Sequence, residues 1–204
     1  MKLICKHLFL AIIICFQAQA KNVKVLLAQA HHSKPTVWVF KSENQFNIHN
    51  PSIKNLNVKK SFDNVRIEII DHKIYLNGQR CKYNHLILNP ISSPIAVNGN
   101  LYHGNFIIRK QHDNIFLINQ VELEEYICSV LKTESWPGWP KEVNKAFAIA
   151  SRSYVLAQML QARKSGLLYH IKNSNYHQTY SGIHNDTNLK AAVLETKNII
   201  LGYD

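Results

Sequence analysis

Residues 119–158 read NQVELEEYICSVLKTESWPGWPKEVNKAFAIASRSYVLAQ, and this stretch decides how the rest of the chain is organised. The pattern predicts two helices joined by a Trp/Pro/Gly elbow. Asn119 suits an N-cap, and Glu122 three positions later completes a capping-box spacing. Glu122, Glu124 and Glu125 place negative charge in the first turn, where the helix dipole favours it. Leu123, Ile127, Val130 and Leu131 recur at helical spacing as one apolar stripe. The next position on that stripe is Glu134, just before Pro137 stops the helix. Burial and the negative helix pole would both raise the pKa of a carboxyl group there, favouring a proton donor. The competing reading is a helix-end glutamate that swings into water or pairs with a lysine.

The second helix opens with Pro140 in its first turn and Glu142 behind it. It is expected to end near Gly166, after the dipole-matched cations Arg163 and Lys164. Val143, Ala146, Phe147, Ala150, Tyr154 and Ala157 form its broad apolar face. Arg152 lies beside that face among Ala148, Ile149 and Ser151. An arginine so placed calls for a carboxylate or an anionic ligand, unless it snorkels to solvent.

The segments LEEYICSVLKTESWPGWP and AFAIASRSYVL together resemble the core of the stage II sporulation protein D / amidase enhancer family, bacterial proteins that modify peptidoglycan. On that resemblance Glu134 falls on the family's essential acid, with Ser135 where a methionine is usual. Arg152 and Tyr154 fall on an R-T-Y pattern, with Ser153 for the threonine. Further on, Gln178, Tyr180 and Gly182 match a Q-x-Y-x-G signature. The resemblance implies that Arg152, Tyr154, Gln178, Tyr180 and Trp136 would contact the glycan or support the acid. Alternatively, Tyr180 is ordinary packing and Gln178 a turn residue.

Composition suits an exported protein that buries a real core: 204 residues, 46% hydrophobic and 18% charged. Met1–Ala20 reads as a cleaved export signal, with Lys2 and Lys6, an apolar run from Leu8 to Phe16 and an A-x-A end at Ala18–Ala20. That run is short for a membrane anchor, so no stable anchor is expected after cleavage. Cys5 and Cys15 would leave with the signal, and Cys81 and Cys128 would remain, free to pair or not. The net charge of +11 favours an anionic wall polymer or a lipid headgroup surface. No nucleic-acid motif accompanies it, and export argues against such a partner. The expected location is the periplasm or cell envelope.

Residues 21–118 are expected to be β-rich. The candidate strands are Val23–Leu27, Thr36–Phe40, Val65–Ile70, Lys73–Leu76, His85–Leu88, Ile95–Val97, Phe106–Arg109 and Ile115–Ile118. Asn77-Gly78 and Asn98-Gly99 are hairpin turns, with further turns at Asp71-His72 and Asp113-Asn114. The segment from Val97 to Asn119 resembles the family's Y-R-G strand pair, with His103 in place of the arginine. His170, His177 and His184 recur at seven-residue spacing. Without a cysteine nearby no metal is expected, a weak His170/His177 pair being the residual reading. A last helix capped by Asp186 or Thr187 carries Leu189, Ala192, Val193 and Thr196, and Asn198–Tyr203 reads as a strand. Asn198 stands where the family has glycine. The family's following Gly-Gly segment is absent, so the helical core at 119–204 is expected to lack the domain's C-terminal end.

The fold class expected is α+β: a β-rich platform followed by a helical core and a short terminal strand. The resemblance implies a peptidoglycan lytic transglycosylase that leaves 1,6-anhydro-muramyl ends, with no cofactor. Ordinary glycosidases need two carboxylates; here the sugar would supply its own nucleophile. Asp186 and Glu142 are the spare acids. The alternative is a non-catalytic, peptidoglycan-binding enhancer of a cell-wall amidase.

Overall fold

The computed structural model describes residues 22–31, 34–51 and 61–202. The expected leader, with Cys5 and Cys15, and Tyr203 lie outside the described residues. The strands are β1 (Asn22–Ala30), β2 (Thr36–His49), β3 (Ser61–Ile70), β4 (Lys73–Leu76), β5 (Gln79–Arg80), β6 (His85–Pro90), β7 (Ile95–Val97), β8 (Asn100–Tyr102), β9 (Asn105–Gln111) and β10 (Asn114–Glu122). Helices α1 (Leu123–Glu134) and α2 (Lys141–Lys164), strand β11 (Ile171–Lys172) and helix α3 (Thr187–Glu195) follow. The architecture is α+β, and every strand expected in the first half is present.

One sheet runs in the order β11-β1-β10-β9-β6-β2-β3-β4-β5, with β7 paired to β2 and β8. All pairings are antiparallel except β11 on β1. Strand β2 has an irregularity between Lys41 and Phe46, where Gln45 takes a positive φ of 65°. That lets its two halves serve different neighbours: Phe40 and Lys41 pair with β7, and Phe46–His49 with β6. Phe40, Tyr102 and Phe106 lock the centre, with both other rings edge-on to Phe106.

Two hairpins share one device. Asn77-Gly78 and Asn98-Gly99 both take positive φ at both positions, the conformation that matches strand twist. Each asparagine then ties back to the neighbouring strand: Asn77 Oδ1 accepts the Arg66 N–H at 2.8 Å, and Asn98 Oδ1 accepts that of Val39 at 2.9 Å. The β9–β10 turn sits one residue earlier than expected, at His112-Asp113, because Gln111 still pairs with Asn114. Gly104, at φ +81°, is required where strands approach: a Cβ there would lie 2.1 Å from the Gln120 carbonyl oxygen.

The junction between sheet and helices corrects the expected N-cap. Strand β10 continues to Glu122, which pairs with Asn22, so Asn119 is buried strand rather than cap. Glu122 itself caps α1, its carboxylate accepting the N–H groups of Glu124 and Glu125. Leu123, Ile127, Val130 and Leu131 are buried as expected. On α2 the expected face is wrong. The buried residues are Asn144, Ala148, Ser151, Arg152, Val155, Met159 and Ala162, whereas Val143, Ala146, Ala150, Tyr154 and Ala157 are exposed and Phe147 is half-buried. On this face Arg152 is held by Glu124, and the Asn144 amide donates to the Trp139 carbonyl at 3.4 Å. Hydropathy ranks such a stripe below its apolar neighbour.

Residues 198–202 form no strand, contrary to expectation. Asn198 takes a positive φ of 65°, the Leu201 N–H bonds the Ser153 hydroxyl at 2.9 Å, and the segment lies against α2. The strand contributed from beyond α2 is β11. Its approach to β1 is completed by His170, whose N–H donates to the Lys24 carbonyl at 2.8 Å and whose Nδ1 accepts the Lys24 N–H at 3.1 Å. Burial, then the charges of Lys24 and Arg163, hold the His170 pKa down from 6.5 to about 4. A ring depressed in the folded state contributes stability that is fully present above pH 6.5 and is lost as the pH falls through about 4. Urea midpoints of the wild type should therefore fall over this window, and those of His170→Gln should fall less. An equal fall in both proteins would acquit the ring.

Candidate functional site

Glu134 is the last residue of α1. The stripe that buries Leu131 does not extend to it: Lys132, Thr133 and Glu134 are all exposed. The Ser135 N–H closes the helix on the Leu131 carbonyl at 3.0 Å, and this last turn projects beyond the elements that cover Ile127 and Val130. Helical spacing predicted the direction of the stripe but not where its cover ends. The burial invoked for Glu134 from the sequence is absent.

What holds the carboxylate is a loop. Glu134 Oε1 accepts the backbone N–H of Thr179 at 2.8 Å. Its neighbour Thr133 donates its hydroxyl to the Thr179 carbonyl at 2.6 Å. Both backbone polar groups of Thr179 are thus clasped by the last turn of α1. The loop is braced internally as well. Asn173 Oδ1 accepts the Tyr180 N–H at 2.8 Å, the Thr179 hydroxyl donates to Asn175 Oδ1 at 3.1 Å, and the His177 N–H donates to the Ser174 carbonyl at 3.0 Å.

Aromatic groups gather around this clasp. Trp136 is 65% exposed, and its indole lies across Gly138, where a Cβ would come within 2.9 Å of Nε1. Tyr154 projects from the exposed face of α2 and shares a hydrogen bond of 3.1 Å with His177 Nδ1. Burial, then Lys172, lowers the His177 pKa, which favours the neutral ring. Beneath lies Tyr126, whose hydroxyl donates to Gln178 Oε1 at 2.9 Å. Its pKa is pushed far up, by burial first and then by the charge of nearby Glu134.

Three of the residues expected to contact the glycan or support the acid, Arg152, Gln178 and Tyr180, are buried. Gln178 and Tyr180 point inward while Thr179 between them reaches Glu134, the alternation of an extended segment. The Tyr180 hydroxyl donates to Asn119 Oδ1 at 2.7 Å, and its ring packs between Tyr102 and Tyr126 at centroid distances of 5.4 and 5.3 Å. Arg152, 1% exposed, finds its carboxylate in Glu124 through a two-point bond, Nε to Oε1 at 3.0 Å and Nη2 to Oε2 at 2.6 Å. Its Nη1 reaches the Ile199 carbonyl at 3.0 Å. The guanidinium therefore knots α1, α2 and the C-terminal segment, and offers no face to a ligand.

The three histidines are engaged separately: His170 with Lys24, His177 with Tyr154, and His184 with the Cys128 carbonyl at 2.7 Å. Cys81 and Cys128 are free thiols. Burial first, then Glu125, pushes the Cys128 pKa up to about 11, so this thiol packs rather than reacts. Asp186 caps α3 by accepting the Leu189 N–H at 3.0 Å, and Glu142 pairs with Lys145 at 3.1 Å. Neither spare acid is engaged at Glu134. Among the described residues no helix is long and apolar enough to cross a membrane.

The stretch that builds this site, from the β9–β10 turn to the C-terminal segment, matches the sequence profile described as Stage II sporulation protein over residues 111–203. Over those residues the chain is similar to that family. That similarity supports a cell-wall-related role. The chain is also similar to an uncharacterized protein of Brachyspira hyodysenteriae, 29% identical over 100 residues. The match takes in 49% of this chain and 27% of that protein, so the chain spans well under two thirds of the relative's length.

Sequence reasoning missed Thr133 and Thr179 at the Glu134 clasp, and Glu124 as the partner that holds Arg152. Thr179 acts through its backbone, which leaves no side-chain signature, and Glu124 passed for one of three first-turn acids. Replacing Arg152 with alanine should strand the Glu124 carboxylate and cost about 3–5 kcal/mol in urea denaturation. Combining Arg152→Met with Glu124→Leu should restore much of that loss. A stable Arg152→Ala protein with impaired glycan binding would instead make Arg152 a ligand contact.

Proposed function

We propose that the chain cleaves peptidoglycan glycan strands by lytic transglycosylation, with Glu134 as the single acid and base. The observation that carries this reading is the placement of Glu134: an exposed carboxylate, oriented by the Thr179 N–H, with the exposed ring of Trp136 two residues on. A carboxylate meant for a polymer must be reachable from outside, and aromatic faces beside it suit pyranose rings.

In the reaction, the Glu134 carboxyl group gives its proton to the glycosidic oxygen between N-acetylmuramic acid and N-acetylglucosamine. As the C1–O bond breaks, the C6 hydroxyl of the muramyl unit closes onto C1 and loses its proton to the Glu134 carboxylate. The products are a 1,6-anhydro-muramyl end and a free N-acetylglucosamine C4 hydroxyl, and Glu134 recovers its starting form. Water is not consumed. Trp136 and Tyr154 orient the strand. The cationic chain, at +11, is attracted to the anionic wall, and the expected leader at Met1–Ala20 carries it to the envelope.

The second reading, a non-catalytic enhancer that binds peptidoglycan and assists a cell-wall amidase, draws on the exposure of Glu134 and the burial of Arg152, Gln178 and Tyr180. These features suit an open binding surface as readily as a closed cleft.

Peptide-free glycan strands incubated with the purified protein should yield anhydro ends by mass spectrometry. Glu134→Gln should lower their rate of formation by about 100-fold or more. If both proteins bind strands and neither forms such ends, the enhancer reading replaces the transglycosylase.

A further inference from the structure

Tyr176 is 87% exposed, more than any other large hydrophobic side chain among the described residues. Leaving an aromatic ring in water forgoes the stabilisation that burial brings, yet here the ring is braced rather than loose. It stands edge-on to His177, with centroids 5.2 Å apart and planes at 76°. His177 is in turn bonded to the Tyr154 hydroxyl at 3.1 Å. The loop beneath is closed by Asn173 on the Tyr180 N–H and by Asn175 on the Thr179 hydroxyl. At Thr179, three residues after Tyr176, the loop is clasped by Thr133 and Glu134.

We infer that the loop Asn173–Tyr180 forms the second wall of the glycan site and that Tyr176 is its sugar-stacking residue. The inference rests on the glycan reading of Glu134. A linear strand crossing Glu134 needs support on both sides of the bond to be cut. Trp136 supplies one aromatic face from the α1–α2 elbow. Tyr176 supplies another from a separate segment, anchored to the same carboxylate. A ring that already rests edge-on against His177 has less freedom to lose when a pyranose stacks on it. The partner is thus an amino-sugar polymer presented by its apolar faces.

Binding of purified, peptide-free glycan strands should weaken about 3- to 10-fold in Tyr176→Ala. Tyr176→Trp, which keeps a stacking face, should bind within about twofold of wild type, and both variants should melt at the wild-type temperature, since the side chain covers almost nothing. Unchanged binding by Tyr176→Ala would overturn the inference and leave the cleavage reading of Glu134 standing. Equal losses in the Ala and Trp variants would also overturn it, because the loss would then come from the loop rather than the ring. If Tyr176→Ala binds weakly while wild type forms no anhydro ends, the wall stands and the transglycosylase reading falls.

Discussion

The buried Glu124–Arg152 pair is the constraint on which the helical half depends. Arg152 is nearly inaccessible and Glu124 has a side-chain exposure of 13%, so water compensates little of either charge. Each is tolerable only because the other is held in two-point geometry. The requirement sets how α2 crosses α1 and draws the C-terminal segment in, since the same guanidinium also bonds the Ile199 carbonyl. With α1 oriented this way, its last turn emerges from the packed layer and carries Glu134 into reach of the loop after β11.

The sheet supplies the other anchor. Strand β10 runs without a break into α1, so the register of β10 against β1 and β9 determines where the helix begins. Asn119 reinforces the arrangement from within the strand: its amide donates to the carbonyls of His103 and Asn105, and its oxygen accepts the Tyr180 hydroxyl. Tyr180 thereby fixes one end of the Asn173–Tyr180 loop to the sheet, while Thr179 fixes the adjacent residue to α1. Alternating residues of one extended segment serve the core and the surface. This is why Gln178 and Tyr180 are structural although they flank a residue that touches the carboxylate.

Much of the fold is legible because its signals are local. The Asn-Gly pairs announce two-residue hairpins, since few residues accept the left-handed conformation at both positions. The α1 stripe is legible because four apolar residues share one face. The limits of that legibility are equally physical. On α2 the apolar count favoured Val143, Ala146 and Ala150 over the true buried face, because an arginine and an asparagine sit in the latter. The sequence shows that Arg152 calls for an anionic partner, but periodicity cannot say that the partner is a carboxylate 28 residues away.

By itself, then, the sequence determined the order and kind of elements, the stripe that packs α1 onto the sheet, and the glutamate at the end of that helix. Those properties depend on residue spacing and backbone preference, which neighbours in the chain impose. Which side of α2 faces inward was a tertiary decision, as were the pairing of Arg152 with Glu124 rather than a ligand and the exposure of Glu134. Each depends on groups far apart in the chain meeting in a low-dielectric interior or failing to cover a helix end. The enthalpy and desolvation of such meetings have no local trace.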